Sequence, residues 1–204
     1  MSRNYVSNKD ETVRMFKNDL LEAVSKVHFT VPLFIYVPVI SFFLYRANSV
    51  FHVSVLNQME FIFIGIIVWT LTEYSLHRFV FHFEPENEIG KKMHFVFHGV
   101  HHDYPNDSKR LVMPPSVSIP LAALFYFIFS LVLNDAFLPS FFSGFLIGYL
   151  IYDMTHYAVH HLTWHNKLFL VLKKHHMKHH YKDNSKGFGV SQQIWDYIWG
   201  TNFK

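Results

Sequence analysis

Histidine is the residue type in this chain best suited to chemistry, because sixteen histidines occur among 204 residues and most of them are clustered. Imidazole nitrogens bind iron, zinc and copper alike, so the clusters predict a metal site without naming its metal. Cysteine is absent, which excludes disulfides and thiolate ligands. The clusters are HRFVFH (77–82), HFVFHGVHH (94–102), HYAVHH (156–161) and HHMKHH (175–180).

The spacing within the clusters predicts two metal ions. Residues three or four apart share one face of an α-helix, and this spacing occurs in the H-x-x-H-H units at 98–102 and 176–180 and in the H-x-x-x-H unit at 156–160. Neighbouring histidines in an H-x-x-H-H unit point about 100° apart, so one unit can reach two metals. His77 and His82 are five residues apart, which suits a fraying helix end better than a single helical face.

Two acidic residues stand one helical turn before proposed ligands. Glu73 is four residues before His77, and Asp153 is three residues before His156. A carboxylate in lipid is costly and usually has a partner, and a metal-bound imidazole commonly donates its other N–H to such a group. We therefore expect both carboxylates to support the metal ligands, with interfacial solvation or an interhelical hydrogen bond as the alternative.

The apolar segments predict an integral membrane protein of the all-α class. Half of the residues are hydrophobic, 23 are phenylalanine and only 16% are charged, although buried core helices of a soluble protein remain an alternative. We predict four transmembrane helices arranged as two helical hairpins, the second closed tightly at residues 134–136. The four apolar runs span residues 29–45, 61–76, 116–133 and 137–152.

The distribution of positive charge predicts the orientation of these helices. With four spans, residues 1–27, 77–115 and 153–204 share one side of the membrane, and they carry five, five and seven of the 18 Lys and Arg residues. Only Arg46 lies on the other side, so the crowded side is cytoplasmic. The sequence thus predicts one domain over residues 1–204, in which residues 77–115 and 153–204 form a cytoplasmic helical cap that holds the two metals.

The N-terminal tail, residues 1–27, is polar and predicts no secretory signal. A helical repeat of apolar residues in it predicts an amphipathic helix, either on the cytoplasmic membrane surface or packed against the cap. In the cap, Lys109 and Arg110 are candidates for meeting a carboxylate or a lipid phosphate, or for anchoring the chain at the headgroups. The apolar repeat consists of Val13, Phe16, Leu20, Val24 and Val27.

The order of the histidine motifs resembles that of the fatty acid hydroxylase and sterol desaturase superfamily. RLVMPP (110–115), YDMTHY (152–157) and KKHHMKHHYKDNSKGFGVS (173–191) with a following WD are similar to the fatty acid 2-hydroxylases. The resemblance implies a membrane enzyme with two iron ions, which uses dioxygen to hydroxylate carbon 2 of a long-chain fatty acid or of a sphingolipid acyl chain. Zinc can replace iron in purified protein. The ligands carried over are His77, His82, His98, His101, His102, His156, His160, His176, His179 and His180, whereas His94, His161 and His175 fall outside the set.

The resemblance also implies partners and a location. Many eukaryotic members carry an N-terminal haem domain, for which 27 residues are too few, so we expect a separate electron-donor protein. The other expected partners are an acyl lipid and the bilayer, not nucleic acid. Both termini and the active site would be cytoplasmic, at a bacterial inner membrane or the endoplasmic reticulum.

Two other functions fit the histidine clusters. One is a sterol, carotenoid or acyl-chain desaturase or hydroxylase on the same histidine scaffold. The other is a histidine-rich membrane metal transporter or sensor, which is disfavoured because transporter ligands lie near the bilayer midplane. Here every clustered histidine lies at or beyond the end of a predicted span.

Overall fold

A computed structural model describes residues 5–83 and 85–203, and all regular secondary structure in these ranges is helical. This confirms the predicted all-α class. The α-helices are α1 (Asp19–Val24), α2 (Val31–Ser49), α3 (Val55–Leu76), α4 (Glu88–His94), α5 (Val100–Asp103), α6 (Pro115–Ser130), α7 (Leu138–His161), α8 (Lys167–Tyr181) and α9 (Ile194–Ile198).

Helix α7 is the centre of the fold and packs chiefly against α3 and α2. The helix crossing is close because glycines face backbone: a Cβ added at Gly65 would collide with the carbonyl oxygen of Phe141, and one added at Gly144 with that of Ile62. Helix α7 is buried over most of its length, so it is the central helix against which the others pack. The aromatic-rich core includes Tyr36, Ile40, Trp69, Phe142, Phe145, Leu146 and Tyr149.

The outer surface of the helical layer is apolar, as expected for contact with lipid. Large hydrophobic side chains are exposed on α2, α3 and α6, among them Phe34, Phe63 and Phe127, and an exposed apolar surface of this extent marks an interaction site. Two helices among the described residues are long and apolar enough to cross a membrane, Val31–Ser49 and Val55–Phe81, while α6 is shorter. The structure therefore supports association with a membrane, and the count of four spans stays a prediction.

Two π-helical turns interrupt the helices that carry histidines. One, His77–Phe81, follows α3, and the other, Phe95–Gly99, joins α4 to α5. In the first turn the His82 N–H donates to the His77 carbonyl oxygen at 3.2 Å, so residues five apart become neighbours along the helix. The expectation of a fraying helix end was wrong here, because the widened turn brings the two imidazoles to a centroid distance of 5.0 Å.

The N-terminal segment contains less helix than its apolar repeat predicts. Among residues 5–27, only Asp19–Val24 is helical, and the buried residue of that helix is the charged Glu22 rather than an apolar one. The Glu22 carboxylate accepts hydrogen bonds from the N–H groups of Met15 and Phe16, at 2.9 and 3.1 Å. These bonds hold Met15 and Phe16 against Glu22 in a non-helical conformation. The predicted helix from Val13 to Val27 was therefore wrong in extent.

Candidate metal centre

The structure brings all ten predicted ligands together in two groups of five. Within each group the imidazole ligand atoms lie within 4.8 Å of one another. We call the first group site A and the second site B. Site A consists of His77, His82, His98, His102 and His179, and site B of His101, His156, His160, His176 and His180.

Site A is assembled from three elements that are distant in the chain. The π turn after α3 and its C-cap contribute His77 and His82, the region of α5 contributes His98 and His102, and α8 contributes His179. The Nε2 atom of His98 lies 3.1 Å from that of His77 and 3.0 Å from that of His102. Nitrogens therefore converge from three sides on one point.

Site B uses the neighbouring residues on the same helices together with α7. The Nε2 atoms of His101 and His156 are 2.9 Å apart, and those of His160 and His176 are 3.0 Å apart. The Nε2 atom of His180 lies 3.1 Å from that of His176. Each H-x-x-H-H unit thus contributes to both sites, so the two sites lie side by side.

His94 lies outside both groups although it precedes His98 by four residues. The second π turn begins directly after it, and this wider turn makes Gly99, five residues on, its neighbour along the helix. A Cβ added at Gly99 would lie 3.5 Å from Nδ1 of His94, an ordinary contact distance. The π turn therefore separates His94 from the histidines that face the sites.

The hydrogen bonds of site A fix which nitrogens face inward. Nδ1 of His77 donates to the Phe188 carbonyl oxygen at 2.5 Å, and Nδ1 of His179 donates to the Lys186 carbonyl oxygen at 2.6 Å. A carbonyl oxygen only accepts, so Nδ1 carries the proton and Nε2 of each neutral ring keeps its lone pair. Nε2 of His179 is buried with no hydrogen-bond partner in the described residues, which is the arrangement a metal ligand requires.

Burial keeps the imidazoles in the neutral form that binds metal. Desolvation, followed by repulsion from neighbouring histidines, holds the pKa of His98, His101 and His180 well below the usual value of 6.5. Convergent neutral imidazoles present several lone pairs to one point, and a cation satisfies them where a proton on one ring cannot. The donor set therefore fits a metal ion in each site.

The carboxylates Glu73 and Asp153 are buried near the sites, but the expected hydrogen bonds to histidine are absent among the described residues. Glu73 instead accepts from the backbone N–H groups of Val190 and Ser191, at 2.8 and 2.9 Å. Asp153 accepts from the Met113 N–H at 3.4 Å. Glu73 thus holds a loop rather than an imidazole, whereas Asp153 keeps one buried oxygen with no hydrogen-bond partner among the described residues.

Asp196 is a buried carboxylate that the sequence did not single out, although the WD motif contains it. It accepts hydrogen bonds from His175 Nε2 at 3.0 Å and from the N–H groups of Phe188 and Gly189, both at 2.9 Å. The backbone carbonyl groups that orient the site A imidazoles were also not predicted, because a carbonyl has no signature in the sequence. The GFGVS motif was the one feature of the sequence that could have indicated this loop.

Arg110 does not offer its charge to a lipid headgroup. Its side chain is only 3% exposed, and it pairs with Glu22 at 2.9 Å and with Asp107 at 3.4 Å. It also donates to the Val13 carbonyl oxygen at 2.8 Å. Arg110 therefore clamps the N-terminal segment to the cap, which agrees with the packed alternative for that segment, and only Lys109 of the predicted pair is exposed.

A cavity of about 300 Å³ adjoins the histidines. His98, His101 and His156 line it, and most of its remaining lining is apolar, including Val112 and Phe97. Part of the wall comes from the N-terminal segment that Arg110 holds in place. An apolar cavity with a few polar groups at one side is the usual form of a small-molecule site.

Two adjacent groups of five histidines beside an apolar cavity define the chain as an all-helical protein with a candidate site for two metal ions. The family model described as fatty acid hydroxylase matches residues 62–201, and the chain belongs to this family.

Its similarity to individual family members is spread over most of the chain. It is 38% identical over 210 residues to a fatty acid 2-hydroxylase of Rattus norvegicus, covering 93% of this chain and 56% of the relative. It is 36% identical over 192 residues to a dihydroceramide fatty acyl 2-hydroxylase of Arabidopsis thaliana, covering 94% and 80% of the two chains. A ceramide very long chain fatty acid hydroxylase of Saccharomyces cerevisiae is 39% identical over 166 residues, which is 74% of this chain and 42% of that one.

A solved structure shares the fold. The full-length scs7p structure, in which only the hydroxylase domain is visible, superposes with a TM-score of 0.86 at 38% identity. The match covers 93% of this chain and 71% of that one. The chain spans about half the length of the rat and yeast relatives, 56% and 42% respectively.

Proposed function

We propose that this protein is a membrane-bound dimetal hydroxylase that adds a hydroxyl group at carbon 2 of a long-chain fatty acid or of the acyl chain of a sphingolipid. The single observation that carries the proposal is the grouping of ten histidines, seven of them buried and three half-buried, into two adjacent sites beside an apolar cavity. The names of the relatives, which act on fatty acids and ceramides, support the substrate class.

The histidines of sites A and B would each hold one iron ion, with zinc as a substitute in purified protein. The bound iron ions would supply the activation of dioxygen. The chain itself contributes the placement of the ligands: helices α5 and α8 each present imidazoles to both sites, so the two ions are held at a fixed separation.

The cavity would hold the part of the acyl chain next to its reacting carbon. An apolar lining binds hydrocarbon by burial and excludes water from the reacting C–H bond. His98, His101 and His156 belong both to the metal sites and to the cavity wall, so a chain seated in the cavity lies against the metal centre. The protein thereby selects one C–H bond by position.

The balance of the reaction requires a partner. One atom of dioxygen enters the lipid and the other leaves as water, which consumes a pair of electrons and a pair of protons. The C–H bond does not supply those electrons, so we propose a separate electron-donor protein.

We further propose that four helices, α2, α3, α6 and α7, cross the membrane and that both termini and the metal sites face the cytoplasm. The concentration of Lys and Arg in residues 1–27, 77–115 and 153–204 supports this orientation. The exposed apolar side chains on α2, α3 and α6 support the lipid contact. The membrane would be a bacterial inner membrane or the endoplasmic reticulum.

The test compares histidines inside and outside the sites. His101→Ala or His179→Ala should abolish formation of 2-hydroxy acyl product from labelled fatty acid or ceramide in membranes, because each removes a proposed ligand. The control is His52→Asn on the exposed loop between α2 and α3, where the backbone is left-handed with φ 52° and asparagine is tolerated. Full activity of His101→Ala at normal abundance would contradict the assignment, and equal loss in His52→Asn would show that the assay reports folding.

A further inference from the structure

The loop after α8, Lys186–Ser191, is the part of the chain that orients site A. Its carbonyl groups at Lys186 and Phe188 accept the hydrogen bonds from Nδ1 of His179 and of His77. These two histidines come from different helices, α8 and the end of α3. The position of one short loop therefore sets the direction of two of the five rings in the site.

Asp196 holds the middle of this loop from one side. Its Oδ1 accepts from the Phe188 N–H at 2.9 Å and from the Thr201 hydroxyl at 2.7 Å. Its Oδ2 accepts from the Gly189 N–H at 2.9 Å and from His175 Nε2 at 3.0 Å. The Asp196 side chain is fully buried, so each oxygen is engaged by two donors within the protein.

Glu73 holds the end of the loop from the other side. Its Oε1 accepts from the N–H groups of Val190 and Ser191, and its Oε2 accepts from the Ser191 hydroxyl at 2.5 Å. Four consecutive backbone N–H groups, those of residues 188–191, are thus bound by two buried carboxylates. Hydrogen bonds at four consecutive backbone N–H groups hold the loop in one defined position.

Site B does not use this loop. The outer nitrogens of His160, His176 and His180 are buried without a hydrogen-bond partner among residues 5–83 and 85–203. Their rings are carried by the long helices α7 and α8, whose placement comes from helix packing. The two sites share α5 and α8, but only site A has hydrogen bonds to residues 186–191 in the described part of the chain.

We infer that Glu73 and Asp196 are positioning residues for site A alone: they fix the loop whose carbonyl groups aim the rings of His77 and His179 at the metal. The inference rests on the proposed function in one respect, that the histidines bind metal. Losing an outer-shell partner of a metal ligand typically costs about 10- to 100-fold in affinity. We expect that loss in site A and none in site B.

The variants Glu73→Gln and Asp196→Asn keep the side-chain shape but turn one acceptor oxygen into an NH2 group that faces N–H donors. The loop then loses part of its clamp while the core stays filled. Matched controls are Glu60→Gln on the same helix as Glu73, and Asp135→Asn in the turn before α7, since both carboxylates are exposed.

The measurement is titration of metal-free, detergent-solubilised protein with Zn²⁺ against a competing chelator. Wild type and both controls should bind two zinc ions per chain tightly. Glu73→Gln and Asp196→Asn should keep one tight zinc and bind the other roughly 10- to 100-fold more weakly. His102→Ala, which removes a site A imidazole, should weaken the same equivalent and so identify it.

Three outcomes would overturn the inference. Wild-type-like binding of both zinc ions by the variants would show that the clamp does not position ligands, and equal weakening of both would show that it serves only the fold. Fewer than two zinc ions on wild type would overturn the proposed dimetal centre and this inference with it. Where the carboxylate variants fail to fold, Ser191→Ala and Thr201→Val each remove a single donor, and a smaller loss confined to site A is expected from them.

Discussion

At the scale of single residues, the buried pair of Arg110 and Glu22 joins the N-terminal segment to the cap. Both side chains are almost entirely shielded from solvent, at 3% and 7% exposure. Glu22 also accepts from the N–H groups of Met15 and Phe16, and these two residues line the cavity. Removing one member leaves the other buried charge with a single ion-pair partner, Asp107 for Arg110 or Lys26 for Glu22, which is destabilising.

The pair predicts a pH-dependent contribution to stability. Burial alone would raise the pKa of Glu22, but hydrogen bonds from Lys26, Phe16 and Met15 and the charge of Arg110 lower it from 4.5 to about 2. A carboxyl whose pKa is lowered on folding contributes stability above its unfolded pKa and loses it as the pH falls through the folded pKa. Glu22→Gln should therefore lower the Tm at pH 7, and its difference from wild type should shrink as the pH falls from about 4.5 towards 2.

The control for this prediction is Asp19→Asn, a substitution in the same helix. Its carboxylate is 92% exposed, so its effect on Tm should be small at every pH. A Tm difference between Glu22→Gln and wild type that stays constant down to pH 2 would contradict the role assigned to the charge.

The ten histidines that the structure groups could be selected from the sequence because helical spacing indicated the clusters and the family resemblance selected the members. The hydrogen-bond partners of Glu73 and Asp153 could not be predicted. The spacing indicates which face of the helix carries each carboxylate, but not which loop of the folded chain packs against that face. The contacts of Asp196 could not be predicted for the same reason. Its partners are backbone groups and His175, which only the folded chain brings to it.

At the scale of elements, the sequence predicted the four apolar helices but not their widened turns. The apolar run at 137–152 became α7, which continues to His161 and so carries His156 and His160. The π turns were not predicted, because an analysis of hydrophobic periodicity assumes a uniform α-helix. The insertion of one extra residue that widens a turn depends on tertiary contacts. The predicted N-terminal helix was too long, because the buried Glu22 carboxylate binds the N–H groups of Met15 and Phe16 and the helix is confined to Asp19–Val24.

The crossing of α3 and α7 predicts a strong effect of a small substitution. Gly144→Ala should lower the stability by about 1–3 kcal/mol, because the new Cβ collides with the backbone of Ile62 on a packed helix. Gly99→Ala is the matched control, since its Cβ meets nothing closer than 3.5 Å. Thermal unfolding in detergent measures both, and a Gly144→Ala protein that unfolds at the wild-type temperature would argue against the close crossing.

At the scale of the whole molecule, the helix lengths make the second hairpin the critical part of the proposed topology. Helix α6 has 16 residues, which at about 1.5 Å per residue is short of a hydrocarbon core of about 30 Å. The proposed four-span topology nonetheless requires the turn between α6 and α7 to lie on the side of the membrane opposite the cap. The exposed residues Asn57 and Asp135 should therefore lie on one side and the exposed Lys92 on the other.

Cysteine labelling tests this arrangement directly, since the chain has no native cysteine. Asn57→Cys and Asp135→Cys should react with an impermeant reagent from the same side of sealed vesicles, and Lys92→Cys from the opposite side. Labelling of Asp135→Cys together with Lys92→Cys would mean that the second hairpin does not cross. Labelling of all three from one side would remove the transmembrane model altogether.

In the proposed reaction, the protein inserts one oxygen atom of dioxygen at carbon 2 of an acyl chain. Isotope analysis of the product tests this reaction directly. Membranes containing the protein are supplied with ¹⁸O₂ and a long-chain fatty acid that carries deuterium on carbon 2. The proposed reaction yields a 2-hydroxy acid that has gained one ¹⁸O atom and lost one deuterium atom. His179→Ala should not form this product. A product hydroxylated elsewhere with both deuterium atoms retained, an unsaturated product without added oxygen, or a hydroxyl group free of ¹⁸O would contradict the proposed reaction.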